Sequence, residues 1–218
     1  MIIRSGRPVL SVCLPPHQPI INGTSVRETM TFGDAKKKAI AMFESPEFIE
    51  SLRGEDPTMI KQLPLLKEIN KHNFLTENSQ AGRFSKGKSW KDGKLYEESE
   101  KAYITGFMLE KDAETFIKNM SIHTDKNVIF VPMCEDSINI PSKLDIPVTI
   151  VEKGGKIEVN THMSSAIPKS LGESFKKQMG IDKSVNVVYL FCWDTKWNRL
   201  ASGKDGLFTD VLKVLKTL

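Results

Sequence analysis

The sequence predicts an α/β or α+β fold: a mixed β-sheet packed by helices, in a single domain with an N-terminal helical portion. Three observations carry this. Over about residues 31–72, apolar side chains recur every three or four positions, the period of a helix with one buried face. From about residue 98 to residue 218, apolar runs of strand length alternate with amphipathic stretches. Finally, 218 residues of which 39% are hydrophobic and 27% charged have the balance of an ordinary globular chain, able to build one core without crosslinks.

The elements follow in order. Residues 8–13 (PVLSVC) read as a strand, ended by Pro15-Pro16. Asp34 is the expected N-cap of a helix through AKKKAIAMFES, and Ser45-Pro46-Glu47 signals a second helix start that Gly54 stops. Asp56-Pro57 repeats the signal ahead of Met59, Ile60, Leu63, Leu66 and Ile69, with Pro64 expected to kink or split that helix. The stretch 76–94 is rich in Ser, Gly and Lys and reads as a mobile basic loop. Beyond it, 102–108 reads as a strand, 111–120 as a helix and 127–133 as a buried strand. Residues 148–159 read as a hairpin turning at Gly154-Gly155, where positive φ costs little. Ser170 to Glu173 has the form of a capping box opening a helix that Gly180 closes. Residues 184–193 (SVNVVYLFCW) are the most apolar run and read as a central strand, and a last amphipathic helix starts near Leu207.

Three cysteines, Cys13, Cys134 and Cys192, form no C-x-x-C pair and each closes an apolar run, which fits free thiols in a reducing compartment. The N-terminus lacks the form of a signal peptide and no window is apolar enough to span a membrane, so an intracellular protein is expected. His17, His72, His123 and His162 show no ligand spacing, and neither a metal site nor a cofactor is expected. Thiol catalysis by Cys134 with His123 or His162 is disfavoured by Glu135 and Asp136, which would raise the thiol pKa.

The charge is concentrated. Arg83, Lys86, Lys88, Lys91 and Lys94, against Asp92 alone, account for the whole formal net charge of +4. With Phe84 and Trp90 interleaved, Arg83, Lys86, Lys88, Trp90, Lys91 and Lys94 are candidate nucleic-acid contacts: cations for the backbone, aromatics for stacking. An acidic protein is the other partner this composition suits. Glu97, Glu98 and Glu100 form the one acidic cluster and are expected to neutralise part of the basic stretch.

Gly82 to Ser89 also satisfies the G-x-x-x-x-G-K-[ST] pattern of a phosphate-binding loop, with Asp194 available as a magnesium carboxylate. The context is unfavourable: FLTENSQA is too polar for a buried parallel strand, and Gly93 follows too soon for a helix. A nucleotide-binding or hydrolytic enzyme built on this loop is therefore the alternative, and an assembly protomer a third reading.

Two segments, Asn73 to Gly82 (NFLTENSQAG) and Glu100 to Met108 (EKAYITGFM), resemble a T-x-x-S-Q-x-G … A-Y-h-x-G-F signature. It belongs to uncharacterised proteins of large DNA viruses of amoebae, Marseillevirus-like ones especially, with similar bacterial domains. The resemblance spans about residues 65–125. It implies a viral protein in the host cytoplasm, nucleus or virion and carries over no catalytic residue, so the leading expectation is a non-enzymatic protein. It marks Thr76, Ser79, Gln80 and Tyr103 as further candidate site residues; for Ser79 and Gln80, satisfying the backbone of a turn is the simpler role.

Overall fold

A computed structural model of the chain describes residues 31–89, 92–135, 146–162 and 166–218. The strand expected at 8–13, Cys13 and His17 lie outside the described residues.

The helical portion follows its capping signals closely. Helix α1 (Phe32–Phe43) is capped by Thr31, whose hydroxyl accepts from the Asp34 amide; Asp34 is the third residue of this capping box, not the N-cap itself. Ser45 caps α2 (Pro46–Glu55) with proline in the first turn, and Asp56 caps α3 (Pro57–Ile60). Pro64 splits the periodic stretch as expected, and α4 (Leu63–Lys71) restarts with the proline in its first turn. Leu63, Leu66 and Ile69 bury one face of α4, at about 1.5–3 kcal/mol each.

Most of the stretch 76–94 expected to be a mobile loop, residues 76–81 and 84–88, is instead strand. Strands β1 (Phe74–Ala81) and β2 (Phe84–Lys88) precede β3 (Leu95–Glu100) and β4 (Ala102–Leu109). β1 pairs antiparallel with β4, and β2 with β3. Because Ala81 faces Ala102 and Phe84 faces Ser99, the four strands form one long ribbon that bends at Gly82-Arg83 and at Lys101. Gly82 makes the bend with φ +71°, and a β-carbon there would lie 2.5 Å from the Arg199 carbonyl oxygen.

Helix α5 (Glu110–His123) leads to β5 (Asn127–Phe130), and Pro132 separates β5 from the short β6 (Met133–Cys134). The expected buried strand 127–133 is thus broken in two, and β5 is an edge strand, exposed at both ends. The hairpin of β7 (Ile146–Lys153) and β8 (Lys156–His162) turns at Gly154 and Gly155, both at positive φ. After β9 (Ile167–Pro168), α6 (Lys169–Gln178) starts one residue before Ser170, so Ser170 lies inside its first turn and makes no cap. Strand β10 (Val187–Trp193) and helix α7 (Leu207–Leu215) close the chain.

The result is an α+β fold. One four-stranded antiparallel sheet runs β1-β4-β10-β5, a second runs β2-β3-β7-β8, and β6 and β9 form a parallel pair. Alternation along the first sheet separates two cores. Phe74, Ile104, Met108, Leu190 and Cys192 pack against α2, α4, α5 and α7. Leu75, Tyr103, Phe107, Tyr189 and Phe191 pack against α1, α6 and β7. β10 lies between β4 and β5, so the most apolar run is an interior strand. No helix among the described residues is long and apolar enough to cross a membrane.

Candidate functional site

The two motif segments turn out to be neighbours: they are β1 and β4, paired with Thr76 opposite Gly106 and Gln80 opposite Tyr103. Thr76, Gln80 and Tyr103 serve the scaffold. The Thr76 amide donates to Asn70 Oδ1 (3.1 Å), and Gln80 Nε2 donates to the carbonyls of Lys101 (2.9 Å) and Val148 (3.2 Å), clasping the first sheet to the second. The Tyr103 hydroxyl donates to Asn78 Oδ1 (3.4 Å), and burial pushes that phenol well above its ordinary range. Thr76 and Ser79 share a face with Ile104 while Gln80 and Tyr103 share the opposite one, so the four candidates do not converge on one site.

A buried carboxylate went unnoticed in the sequence. A bulge between Thr76 and Asn78 turns Glu77 into the second core, where it accepts from Thr105 Oγ1 (3.0 Å) and the Tyr189 hydroxyl (2.9 Å). β1 thus buries Thr76, Glu77 and Asn78 because each is hydrogen-bonded.

At the bend of the ribbon Arg83 is clamped. Its guanidinium lies 3.2 Å from Asp56, 3.2 Å from Glu100 and 3.8 Å from Glu98, with Thr58 Oγ1 at 3.4 Å. Burial pushes the Glu100 carboxyl up to about 7, with Arg83 pulling the other way. The clamp removes Arg83 from the set of free cations; two of the three acids of the expected cluster, Glu98 and Glu100, are buried around it.

The phosphate-loop pattern takes a different path from the one that chemistry needs. Residues 84–88 are extended and paired to β3, so they do not wrap an anion and do not open a helix. Asp194, the matching carboxylate, is fully buried. It accepts from Arg199 Nε (2.7 Å) and the Lys196 amide (2.8 Å), and Lys126 lies 3.7 Å away. Lys126, itself fully buried, also pairs with Asp125 and Asp210 and donates to the Asp205 carbonyl, joining β5, β10 and α7. Hydrogen bonding from Arg199 holds the Asp125 carboxyl well below the usual range.

Strand alternation decides which side chains of the second sheet are free. One face carries Ser85, Glu98 and Val151, turned toward the clamp or half-covered. The opposite face carries, strand by strand, Phe84, Lys86 and Lys88; Leu95, Glu97 and Ser99; Ile150 and Glu152; Ile157 and Val159. Phe84, Leu95, Ile157 and Val159 are between 45% and 74% exposed, and they are four of the eight large apolar side chains exposed among the described residues. Lys86 is in register with Glu97, and Glu97 with Glu152. Lys94 is exposed at the ribbon tip, whereas Trp90 and Lys91 lie outside the described residues. Ile157 and Val159 alternate in the sequence as a buried face would; only the absence of a covering layer among the described residues makes that face open.

The remaining candidates are dispersed. Cys192 is buried in β10, which pushes its thiol well up, and half-buried Cys134 donates to the Ile167 carbonyl (3.4 Å). Among the described residues no group of three or more His, Cys, Asp and Glu is placed to hold a metal ion. Comparison with known proteins found no family model that matches the chain and no similar curated protein.

Proposed function

We propose that this chain is a binding protein whose working surface is the open face of the second sheet, and that its partner is a protein with an apolar, partly acidic surface. One observation carries the reading: Phe84, Leu95, Ile157 and Val159 stand exposed on one face across β2, β3 and β8. Large apolar side chains left exposed on one sheet face are characteristic of interaction sites; here Lys86, Glu97 and Glu152 stand between them. Three of the four are aliphatic, which suits a protein surface better than stacked bases. Lys86 and Lys88 share that face, with Lys94 exposed at the ribbon tip, and favour carboxylates opposite. The likeness of β1 and β4 to viral segments belongs to the same proposal, with the host cell or virion as the setting.

The experiment is site-specific photo-crosslinking from position 157 in infected or expressing cells. Discrete protein adducts that vanish in Lys86→Glu/Lys88→Glu, with none from a control position at Lys213, are the expected result. Adducts no more discrete than the control's would end the reading.

A second reading has its own observation: Phe84, Lys86 and Lys88 alternate onto the exposed side of an edge strand, a short track for a single-stranded nucleic acid. It requires binding of a labelled oligonucleotide whose salt dependence flattens in Lys86→Ala/Lys88→Ala. A salt slope unchanged by those substitutions rules it out.

A further inference from the structure

We infer that β5 and the groove beside α5 form a self-association surface, on which a second copy of this chain docks about a two-fold axis to continue the first sheet. The inference is independent of the role proposed for the second sheet, which lies elsewhere in the fold.

The argument begins with edges. An edge strand with free amides and carbonyls pairs with another chain unless charge, a bulge or a covering group prevents it. Two four-stranded sheets have four edges: β1, β2, β5 and β8. β1 is blunted by the bulge at Glu77 and by Asn70, which takes the Thr76 amide. β2 carries Lys86 and Lys88, and β8 carries Lys156 and Glu158. β5 reads Asn-Val-Ile-Phe, has no charge and no bulge, and among the described residues pairs with β10 alone. Among the described residues it is the one edge with neither charge nor bulge, short and closed at one end by Pro132, whose carbonyl accepts from Ile167 of β9.

The side chains next to it agree. Along β5, α5 leaves a groove of about 570 Å³ lined by Ala113, Ile117, Ile122, Phe130 and Val188. Ile122 is 62% exposed and Phe130 49%, two more of the eight exposed apolar side chains. An antiparallel β5–β5 pairing across a two-fold axis sets both α5 helices on the same side of the joined sheet, antiparallel and over the seam. Each then fills the other's groove.

Charge selects a second copy as the occupant. A two-fold interface must complement itself, so a group at one end of the patch has to suit the group at the other. The groove is rimmed by Glu110 and Glu114 toward the start of α5 and by Lys118 further along. Antiparallel crossing near residue 116 brings Glu114 of each copy to Lys118 of the other, two opposite-charge pairs flanking the apolar centre. A parallel or head-to-tail arrangement loses this match.

Sedimentation equilibrium of the full chain across the micromolar range tests the inference. A monomer–dimer equilibrium is expected, with Phe130→Glu and Ile122→Glu both monomeric and unchanged in circular dichroism. Glu114→Lys alone should weaken the dimer about tenfold, as should Lys118→Glu alone, and combining them should restore it to within about twofold. A monomer at every concentration overturns the inference, whether the groove is then open or covered by residues 1–30. So does a dimer that Phe130→Glu leaves intact, or one that the double exchange fails to restore.

Discussion

Lys86 on β2 stands directly opposite Glu97 on β3, and Glu97 in turn faces Glu152 on β7. Glu97 is the one member of the acidic cluster on that face, since Glu98 and Glu100 turn to Arg83, so Lys86 stands beside a carboxylate while Lys88 faces Leu95. Neutralising Glu97 should unmask Lys86. Glu97→Gln is expected to raise affinity for heparin or a labelled single-stranded oligonucleotide a few-fold at low salt, the effect of about one unit charge in water. The gain should fade as salt is added. No change in heparin elution would mean that Lys86 takes no part in anion binding.

An open face tolerates substitution. Leu95→Lys and Ile157→Lys, alone or together, should shift stability by no more than about 0.5 kcal/mol each in urea unfolding. A buried position of the same type would lose several times as much. Destabilisation of about 2 kcal/mol or more in either variant would show that the face is covered.

Glu100 sets a pH dependence. Its carboxyl is raised by burial from its ordinary 4.5 to about 7. The folded state thus holds the proton more tightly than the unfolded chain, and stability falls as pH rises between those values. The contribution is fully present below about pH 4.5 and lost above about pH 7, and amounts to ~3 kcal/mol at most. Urea unfolding at a series of pH values should show this decline in the native protein and a flatter profile in Glu100→Gln. An identical slope in both would exclude Glu100 as its source.

Lys126 anchors a buried network; without it Asp210 loses its cation and Asp194 keeps Arg199 alone. Lys126→Met should cost about 3–5 kcal/mol, read as a lowered urea midpoint. Asp194→Asn should cost less, since Arg199 retains Asp125. A Lys126→Met protein of native stability would show that the network contributes nothing net.

Gly106 lies on β4 beside β1; a β-carbon there would collide with the Leu75 carbonyl and the Phe74 ring. Gly106→Ala should destabilise by about 1–3 kcal/mol through forced displacement. Gly155→Ala, with open space around it, should cost about 1 kcal/mol from its φ of +75° alone. Thermal melts of the two variants would order them, and equal losses would contradict the close packing at Gly106.

Local chemistry was enough for most helices and for the Gly154-Gly155 hairpin. Ser45-Pro46, Asp56-Pro57 and Pro64 each act within a few residues, through one capping bond or one missing amide, and the structure follows them. The apolar run at 187–193 likewise announced an interior strand, since it has apolar side chains for both faces. The stretch 76–88 was not legible as strand, because its polar and glycine-rich composition mimics a loop. What makes it strand is non-local: Asn70, Thr105 and Tyr189 satisfy Thr76 and Glu77, and β3 supplies the ladder for β2.

By itself the sequence determined the fold class, the starts of α2 and α3 at Ser45-Pro46 and Asp56-Pro57, and the concentration of positive charge between residues 83 and 94. Tertiary structure decided the rest: that Arg83 is clamped by Asp56, Glu98 and Glu100, that Asp194 belongs to a buried ion network, and that Leu95, Ile157 and Val159 are exposed on one face of the second sheet among the described residues. The physical reason is range. Caps and turns are settled by neighbours in the chain, whereas the partner of a charge and the cover over an apolar face depend on which distant strands pair, and in which register.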